Sequence, residues 1–532
     1  MSSYRVLVTD NLSPKGVEIF ENTPGIETVV DHEISAEGLA ESLKDFDALV
    51  VRSRTKLTAD LMEKTDRLKV VGRAGTGLDN IDIEAATKRG IAVMNTPGGN
   101  TVTTAEHALS MLFSLTRNVP QASASMKAGR WEKKKFQGRE LFHKTLGVLG
   151  LGQIGSVVAD RAKGLKMDVI AYDPYLTEEL AHKKGVEAVT IDELLARADY
   201  ITVHVPLNKA THHLLNAEAF AKMKDGVMLV HCARGGIVDE QALLEALKSG
   251  KVAGAALDVF ETEPPGESPL LALDNVICTP HLGASTAEAQ ENVAVAVAEQ
   301  IADYLTKGLI RNTVNVPSVS KESLNLLRPY IRLCERMGSL YTQMSPGPVE
   351  EVRAEYSGNL ADYETQPLTV ALLKGLLEPM REEETVNYVN APLMADDQGI
   401  RVTEGTTKRD VNFTNKVSIY LRSGSKEDCL VGAVFGKDGP PRLMRMNQYF
   451  GEAILEGNML IMENLDKPGI VGAIGVLLGE NKINIAGFHL GRDEEGGKAV
   501  AFINVDAPVP KEVLEKASEL PNILSVKHIT LG

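Results

Sequence analysis

Gly147-Val148-Leu149-Gly150-Leu151-Gly152-Gln153-Ile154-Gly155 decides how the centre of the chain folds. The stretch closes an apolar run over 145–149 and opens a helical pattern over 154–162. Gly150 permits a tight turn between strand and helix, Gly152 lets backbone approach a pyrophosphate, and Gly155 lets helix and strand pack closely. The anion then sits on the helix amino terminus. Further on, Asp173 ends the next apolar run in Ala171-Tyr172-Asp173-Pro174, where a carboxylate accepts both ribose hydroxyls. That carboxylate also repels a 2′-phosphate, so the pattern favours NAD over NADP.

Outward from this loop the same alternation continues. Strands are predicted over 169–172, 200–205, 227–231, 255–259 and 276–279, after a long helical pattern that starts at Thr101 and runs through His107 and Leu115. An earlier series places strands over 6–8, 48–51 and 70–71 and helices over 14–20 and 59–65. Strands separated by helices imply a parallel sheet covered on both faces, so the fold class is α/β with two doubly wound units. Over 287–307, Val293, Val297, Ile301 and Leu305 share one helical face, and Asn315-Val316-Pro317 breaks the pattern as a linker. Residues 320–456 mix helices, such as 324–344, with alternating strands, such as 417–421, as a third, α+β domain. The tail reads strand 459–463, helix 469–480, strands 486–492 and 499–505, helix 511–519 and strand 523–529, the ferredoxin-like order.

The chain's 532 residues suggest about three or four folded units. With 57 Lys and Arg against 72 Asp and Glu, the formal charge of −15 disfavours nucleic acid, which needs a positive surface. A hydrophobic share of 43% suits a soluble protein with sizeable cores. Cys232, Cys278, Cys334 and Cys429 lie far apart, without metal-binding spacing or a secreted disulfide framework, so no metal is expected. Neither a membrane span nor a leader pattern appears, and the expected location is cytoplasmic.

Three segments bring polar groups to the carboxyl ends of predicted strands, where open parallel sheets hold ligands. They are Cys232-Ala233-Arg234-Gly235-Gly236, Asp258-Val259-Phe260-Glu261-Thr262-Glu263-Pro264-Pro265 and Thr279-Pro280-His281-Leu282-Gly283-Ala284. Hydride transfer from a hydroxy acid needs a cation for the carboxylate, a base for the hydroxyl proton and a group that tunes the base. Arg234, His281 and one of Glu261 or Glu263 supply these. His204, in Val203-His204-Val205-Pro206, reads as a packed strand residue rather than a second base. The amino-terminal segments Val51-Arg52-Ser53-Arg54-Thr55, Gly72-Arg73-Ala74-Gly75-Thr76-Gly77 and Asn95-Thr96-Pro97-Gly98-Gly99-Asn100 gather arginines and backbone amides at strand ends. They suit an anion with a second negative group beyond its carboxylate, such as a phosphorylated hydroxy acid.

On these residues the stretch from Tyr4 to Pro317 resembles the NAD-dependent D-2-hydroxyacid dehydrogenase family. The resemblance implies that Arg234 clamps the substrate, His281 is the general acid/base, and Glu263, immediately before the proline, hydrogen-bonds His281. A carboxylate beside an imidazole favours the protonated ring, and a guanidinium matches a carboxylate bidentately. Within that family the amino-terminal segments and the extra carboxyl-terminal domains look like the long-type branch, which oxidises 3-phosphoglycerate to 3-phosphohydroxypyruvate at the head of serine synthesis. By that likeness Arg52, Ser53, Arg73 and Asn100 line the substrate pocket. Thr76, Gln153, Ile154, Val205, Pro206, Cys232, Ala233, Arg234, Asp258, His281, Gly283 and Ala284 meet NAD together with Gly150, Gly152, Gly155 and Asp173. Val205 replaces a Thr frequent in relatives, and Arg54 replaces a small residue, either adding phosphate affinity or facing solvent.

In relatives the segment around Trp131 crosses to a neighbouring subunit. The likeness therefore implies Trp131 as a dimer anchor, Lys133 as a substrate contact in trans, and a homo-oligomer, either dimer or tetramer; the alternative is a solvated basic turn with a packed indole. Glu463-Asn464-Leu465-Asp466-Lys467-Pro468-Gly469 and Lys482-Ile483-Asn484-Ile485 resemble an ACT-type amino-acid-binding domain. That resemblance implies L-serine as effector, held between two chains by Asn464, Asp466 and Asn484. The implied domains are 1–98 with 286–316 for substrate, 99–285 for NAD, 317–457 intervening, and 458–532 ACT. Two other readings stay open: a family member acting on glycerate, hydroxypyruvate or 2-oxoglutarate, and an NAD-sensing corepressor-like binding protein.

Overall fold

The computed structural model describes residues 3–317, 321–345, 347–380, 386–408, 414–436 and 439–531. Residues 1–2 of the first expected domain, 532 of the last, and 318–320 near the start of the third lie outside them.

Residues 3–94 build a five-stranded parallel sheet in the order Ile26–Val30, Tyr4–Val8, Ala48–Val51, Val70–Arg73, Ala92–Met94. Successive side chains of a strand point to opposite faces. Val6, Val8, Val50 and Val70 accordingly pack in one core, and Leu7, Leu49, Val51 and Val71 in another. Both strands missing from the sequence reading, Ile26–Val30 and Ala92–Met94, are edge strands, short or half-exposed. Such strands carry too little apolar alternation to stand out from loops.

The second sheet has seven parallel strands in the order Val276–Cys278, Val252–Leu257, Val227–His231, Tyr200–Val203, Thr145–Leu149, Asp168–Tyr172, Glu187–Ala188. Chain order reverses beside Thr145–Leu149, the switch point where such sheets bind ligands. His204 and Val205 fall outside their strand, and Val252–Leu257 starts before its expected beginning and stops short of Val259.

Chain-distant residues complete the first unit. The helix Ala287–Lys307, capped by the Thr286 hydroxyl and ended by Gly308 at φ +64°, lays Val293, Val297 and Ile301 onto the first sheet. A Cβ at Gly72 would lie 2.5 Å from both Ile301 and Val297, so glycine is what lets this helix sit down on the strand. The expected linker is no free tether. Thr313 bridges to Met94, the Asn315 amide group bonds the backbone of Val93 and Ile91 on both sides, and Val316 is buried in the same core. An Asn-Val-Pro run reads as loop because its hydrogen bonds are side-chain to backbone and leave no periodicity.

The third domain is α+β: a six-stranded mixed sheet in the order Arg401–Thr407, Glu351–Gly358, Asn415–Ser423, Lys426–Val434, Pro441–Met446, Tyr449–Ile454, with the helices Lys321–Met344 and Gln366–Leu377. The tail is an antiparallel sheet ordered Ile485–Arg492, Lys498–Val505, Gly457–Leu465, Ile523–Leu531, with the helices Ile470–Glu480 and Lys511–Ser518. Among the described residues no helix is long and apolar enough to cross a membrane.

Two tests follow from this packing. Ile301→Ala removes a fully buried side chain between helix and first sheet and is expected to cost about 2–5 kcal/mol, read as a lower urea midpoint. His231, 3% exposed, has its imidazole pulled down to about 4 by burial, against the Arg234 carbonyl and Asp258, which favour its proton. Below about 6.5 the unfolded ring takes a proton that the folded ring refuses until about 4, so stability falls as pH drops through that window. The urea midpoint should fall between pH 6.5 and 4, and His231→Asn should flatten the fall.

Candidate active site

The glycine loop is built for an anion. Gly150 has φ +92°, and a Cβ there would lie 2.8 Å from the His204 carbonyl. At Gly155 a Cβ would lie 2.0 Å from the Gly150 carbonyl oxygen, so the helix Gln153–Gly164 can start this close to its strand only without a side chain. Around Gly152, by contrast, no atom lies within 4 Å of the Cβ position, which leaves room above the helix amino terminus. The Asp173 carboxylate accepts from the Leu151 and Tyr175 amides, both at 2.9 Å. Those bonds hold it at the rim of the loop and leave a lone pair on each oxygen for two hydroxyls. These residues fit the pyrophosphate and ribose of NAD.

A cleft of about 780 Å³ opens beside the loop, between the carboxyl ends of the two parallel sheets. From the first unit it is lined by Arg52, Ser53, Arg73 and Thr76, and at the junction to the second by Asn100. From the second come Ile154, Val205, Pro206, Cys232, Ala233, Arg234, Asp258, Glu263, His281, Gly283 and Ala284. Gln153 adjoins them, accepting from the Thr101 hydroxyl at 3.1 Å. Lys133 does not line the cleft; it opens the exposed turn Lys133–Phe136.

His281 and Glu263 meet at 2.7 Å between Nδ1 and Oε2, and Glu263 Oε1 accepts from the Phe260 amide at 3.2 Å. Glu261 serves elsewhere, on His213 and the Glu240 amide. With Nδ1 engaged, Nε2 is the nitrogen left for a substrate. Arg234 lies 3.3 Å from the Asp79 carboxylate and donates to the Ala233 carbonyl at 2.7 Å.

Arg73 is the electrostatic signature of the cleft. Burial, together with the like charges of Arg234 and Arg52, pulls its guanidinium below the ordinary value. Its Nε is buried without a hydrogen-bond partner. Three cations facing one cavity, one of them unsatisfied, favour a ligand with more than one negative charge. Of the two roles considered for it, Arg54 takes the solvent-facing one: its side chain is exposed, pairs with Asp10 and donates to the Thr9 and His32 carbonyls, bracing the loop rather than facing ligand.

Other groups are tuned away from acid/base work. Burial pushes the Cys232 thiol far up, so it is an apolar wall and not a nucleophile. His204, held by the Thr202 hydroxyl at 2.9 Å, is pulled down to about 3 by burial and by His231. The Asp258 carboxyl, pushed up by burial, is nevertheless held below its usual range by bonds from His107, Thr279 and the Leu282 amide. Asp79, Thr104 and Gln290 also line the cleft, and the sequence reading missed them. An acid just past a glycine turn was the available signal for Asp79; Thr104 and Gln290 sit within helical patterns and carry none.

In the tail the three proposed effector residues do not meet within one chain. The Asp466 carboxylate accepts from Arg492 at 3.0 Å and from the Gly496 amide, while Asn484 donates to Asp506 at 2.8 Å. Asn464 is 1% exposed, and its Oδ1 has no partner. Strand register sets Asn464 opposite Ala499 but Ile485 opposite Val505, so Asn484 lies at the other end of the sheet, roughly 20 Å away at 3.3 Å per residue.

Comparison with known proteins agrees with this architecture. The profile of the D-isomer specific 2-hydroxyacid dehydrogenase NAD binding domain matches residues 109–283, that of the D-3-phosphoglycerate dehydrogenase intervening domain 326–447, and that of the ACT domain 458–522. The chain is 46% identical over 528 residues to D-3-phosphoglycerate dehydrogenase of Methanocaldococcus jannaschii, covering 99% of this chain and 100% of the relative. Against the Bacillus subtilis enzyme of the same name it is 44% identical over 529 residues, with 99% and 100% covered. Among solved structures, D-lactate dehydrogenase from Aquifex aeolicus, complexed with NAD and lactic acid, aligns with TM-score 0.53 and 32% identity over 59% of this chain and 100% of that one. The chain belongs to the D-3-phosphoglycerate dehydrogenase family of NAD-dependent D-isomer specific 2-hydroxyacid dehydrogenases.

Proposed function

We propose that the chain oxidises D-3-phosphoglycerate to 3-phosphohydroxypyruvate, the first step of L-serine biosynthesis. One observation carries the choice of substrate: Arg52, Arg73 and Arg234 converge on the cleft that holds the His281–Glu263 pair. A carboxylate and a phosphate on one small molecule answer that concentration of positive charge.

NAD supplies the hydride acceptor. Arg234 clamps the substrate carboxylate, and Arg52 and Arg73, with Ser53 and Asn100, take the phosphate. His281 Nε2 accepts the hydroxyl proton as the hydride leaves the adjacent carbon. Glu263 receives the Nδ1 proton in a hydrogen bond throughout, which fixes the tautomer and stabilises the imidazolium that forms.

The assignment of 1–98 with 286–316 to substrate and 99–285 to NAD is supported by the helix Ala287–Lys307 packing on the first sheet. The intervening and ACT parts, 317–457 and 458–532, follow. A homo-oligomer is supported by Trp131, whose indole is 80% exposed rather than packed within the chain, with Val119 and Met126 also exposed. Serine held by Asn464, Asp466 and Asn484 requires a second copy, because one chain keeps them apart. Four free thiols fit the reducing cytoplasm.

Coupled assays with 3-phosphoglycerate, glycerate and 2-oxoglutarate should rank the phosphorylated substrate first; a preference for glycerate would reject the choice. His281→Ala should lower kcat by about 10²- to 10⁴-fold with NADH binding retained, checked by NADH fluorescence titration. Arg73→Met should raise KM for 3-phosphoglycerate about tenfold or more without lowering the thermal midpoint, because it removes a buried and repelled charge.

A further inference from the structure

We infer that His107 is a positioning residue for His281, acting through the Asp258 carboxylate. The inference rests on the acid/base reading of His281 and adds to it a group outside the loop.

The helix Thr101–Thr116 enters the second unit along the cleft, and three of its side chains, spaced by three residues, form one stripe. Thr101 donates to Gln153 of the cofactor loop. Thr104 donates to the Gly283 carbonyl at 2.9 Å. His107 Nε2 lies 3.1 Å from Asp258 Oδ1 and 3.2 Å from the Thr279 hydroxyl. An ionised carboxylate only accepts, so Nε2 is the nitrogen that carries the proton.

Asp258 is 1% exposed, and four polar groups reach its carboxylate, His107 at ion-pair distance and the others as hydrogen-bond donors. Three belong to the loop that carries His281: the Thr279 hydroxyl at 2.6 Å, the Leu282 amide at 2.7 Å and the Gly283 amide at 2.8 Å. The His281 amide also donates to the Asp258 carbonyl at 3.0 Å. His281 itself stands at φ +54°, a left-handed conformation that a residue with a side chain keeps only when its surroundings enforce it. The three loop donors lock loop to carboxylate, yet they allow both to turn together. His107, hydrogen-bonded to the Thr279 hydroxyl and at ion-pair distance from the carboxylate, ties that pair to a long helix alongside the Thr104–Gly283 bond, and hence helps set where the imidazole points. Its position inside a helical repeat, with no glycine or proline beside it, hid this role from the sequence.

The test uses the full chain with 3-phosphoglycerate and NAD. His107→Phe, which fills the site without a donor, should lower kcat about tenfold while KM for 3-phosphoglycerate and the NADH Kd stay within about twofold. His107→Gln, whose amide can donate to Asp258, should recover kcat to within about threefold of the parent. Parent-like kcat in His107→Phe overturns the inference, and so does equal loss in both variants together with weakened NADH binding, which marks a merely structural role. Should His107→Phe fail to fold, Thr104→Val carries the test through the same stripe: about threefold lower kcat with unchanged NADH Kd supports the inference, and unchanged kcat overturns it. His281→Ala, run alongside, separates the two levels. Parent-like turnover there removes the acid/base reading itself, whereas an inactive His281→Ala beside a normal His107→Phe removes only the role of His107.

Discussion

Parallel strands all end on one edge of their sheet, and this constraint brings the reacting side chains of distant segments together. Arg52 and Arg73 leave the carboxyl ends of Ala48–Val51 and Val70–Arg73, while Arg234, Asp258 and His281 follow Val227–His231, Val252–Leu257 and Val276–Cys278. Each βα crossover returns the chain to the far edge, so the next strand must again finish at the cleft. The two sheets face one another across it, and the chain crosses between them through Thr101–Thr116 on the way out and the segment before Ala287–Lys307 on the way back.

That geometry has an electrostatic cost. The chain as a whole is acidic, at −15, yet its cleft collects guanidiniums. Asp79 beside Arg234 and Asp10 beneath the Arg52 backbone balance part of the charge. The Arg73 Nε is left without a partner and its guanidinium is pulled down by burial and by its neighbours. A site that only bound and packed would replace such a group with an apolar side chain, because buried unpaired charge destabilises the fold. Its retention therefore argues for a dianion that neutralises it on binding.

Legibility followed the range of the signal. The glycine loop, Asp173 and the strand-end segments were readable because each depends on local chemistry: a positive φ, a close approach, a carboxylate at a strand end. The helix over 287–307 was readable as a helix from its periodicity. Its place on the first unit, against Gly72 more than two hundred residues back, came only through the family resemblance, since no local pattern encodes which sheet a helix covers. His107 was missed because its role arises only from what tertiary folding sets opposite it, whereas Asp79 carried a local signal, an acid just past a glycine turn, that went unused. Arg54 shows the converse, where residue type suggested an anion contact and three acceptors of its own domain had already claimed the side chain.

The tail is joined to the rest by packing as well as by chain. One core contains residues of the helix Lys321–Met344, the mixed sheet and the ACT sheet, including Leu333, Val352, Phe502 and Ile529. Gln343 exchanges two 3.0 Å bonds with the backbone of Thr530, and Arg336 donates to the Leu455 carbonyl at 2.8 Å. At its other end the third domain grips the first sheet, where Val389 enters the core beside Val6 and Asn387 donates to the Gly90 carbonyl at 2.9 Å. An effector between two tails would then have to shift elements that share side chains with both neighbours, and close-packed interiors resist gradual deformation. Any coupling that such an effector exerted on the substrate would be matched by an equal effect of the substrate on the effector. Domains packed through shared cores would give that exchange a physical carrier, which a free tether over 315–317 would not supply.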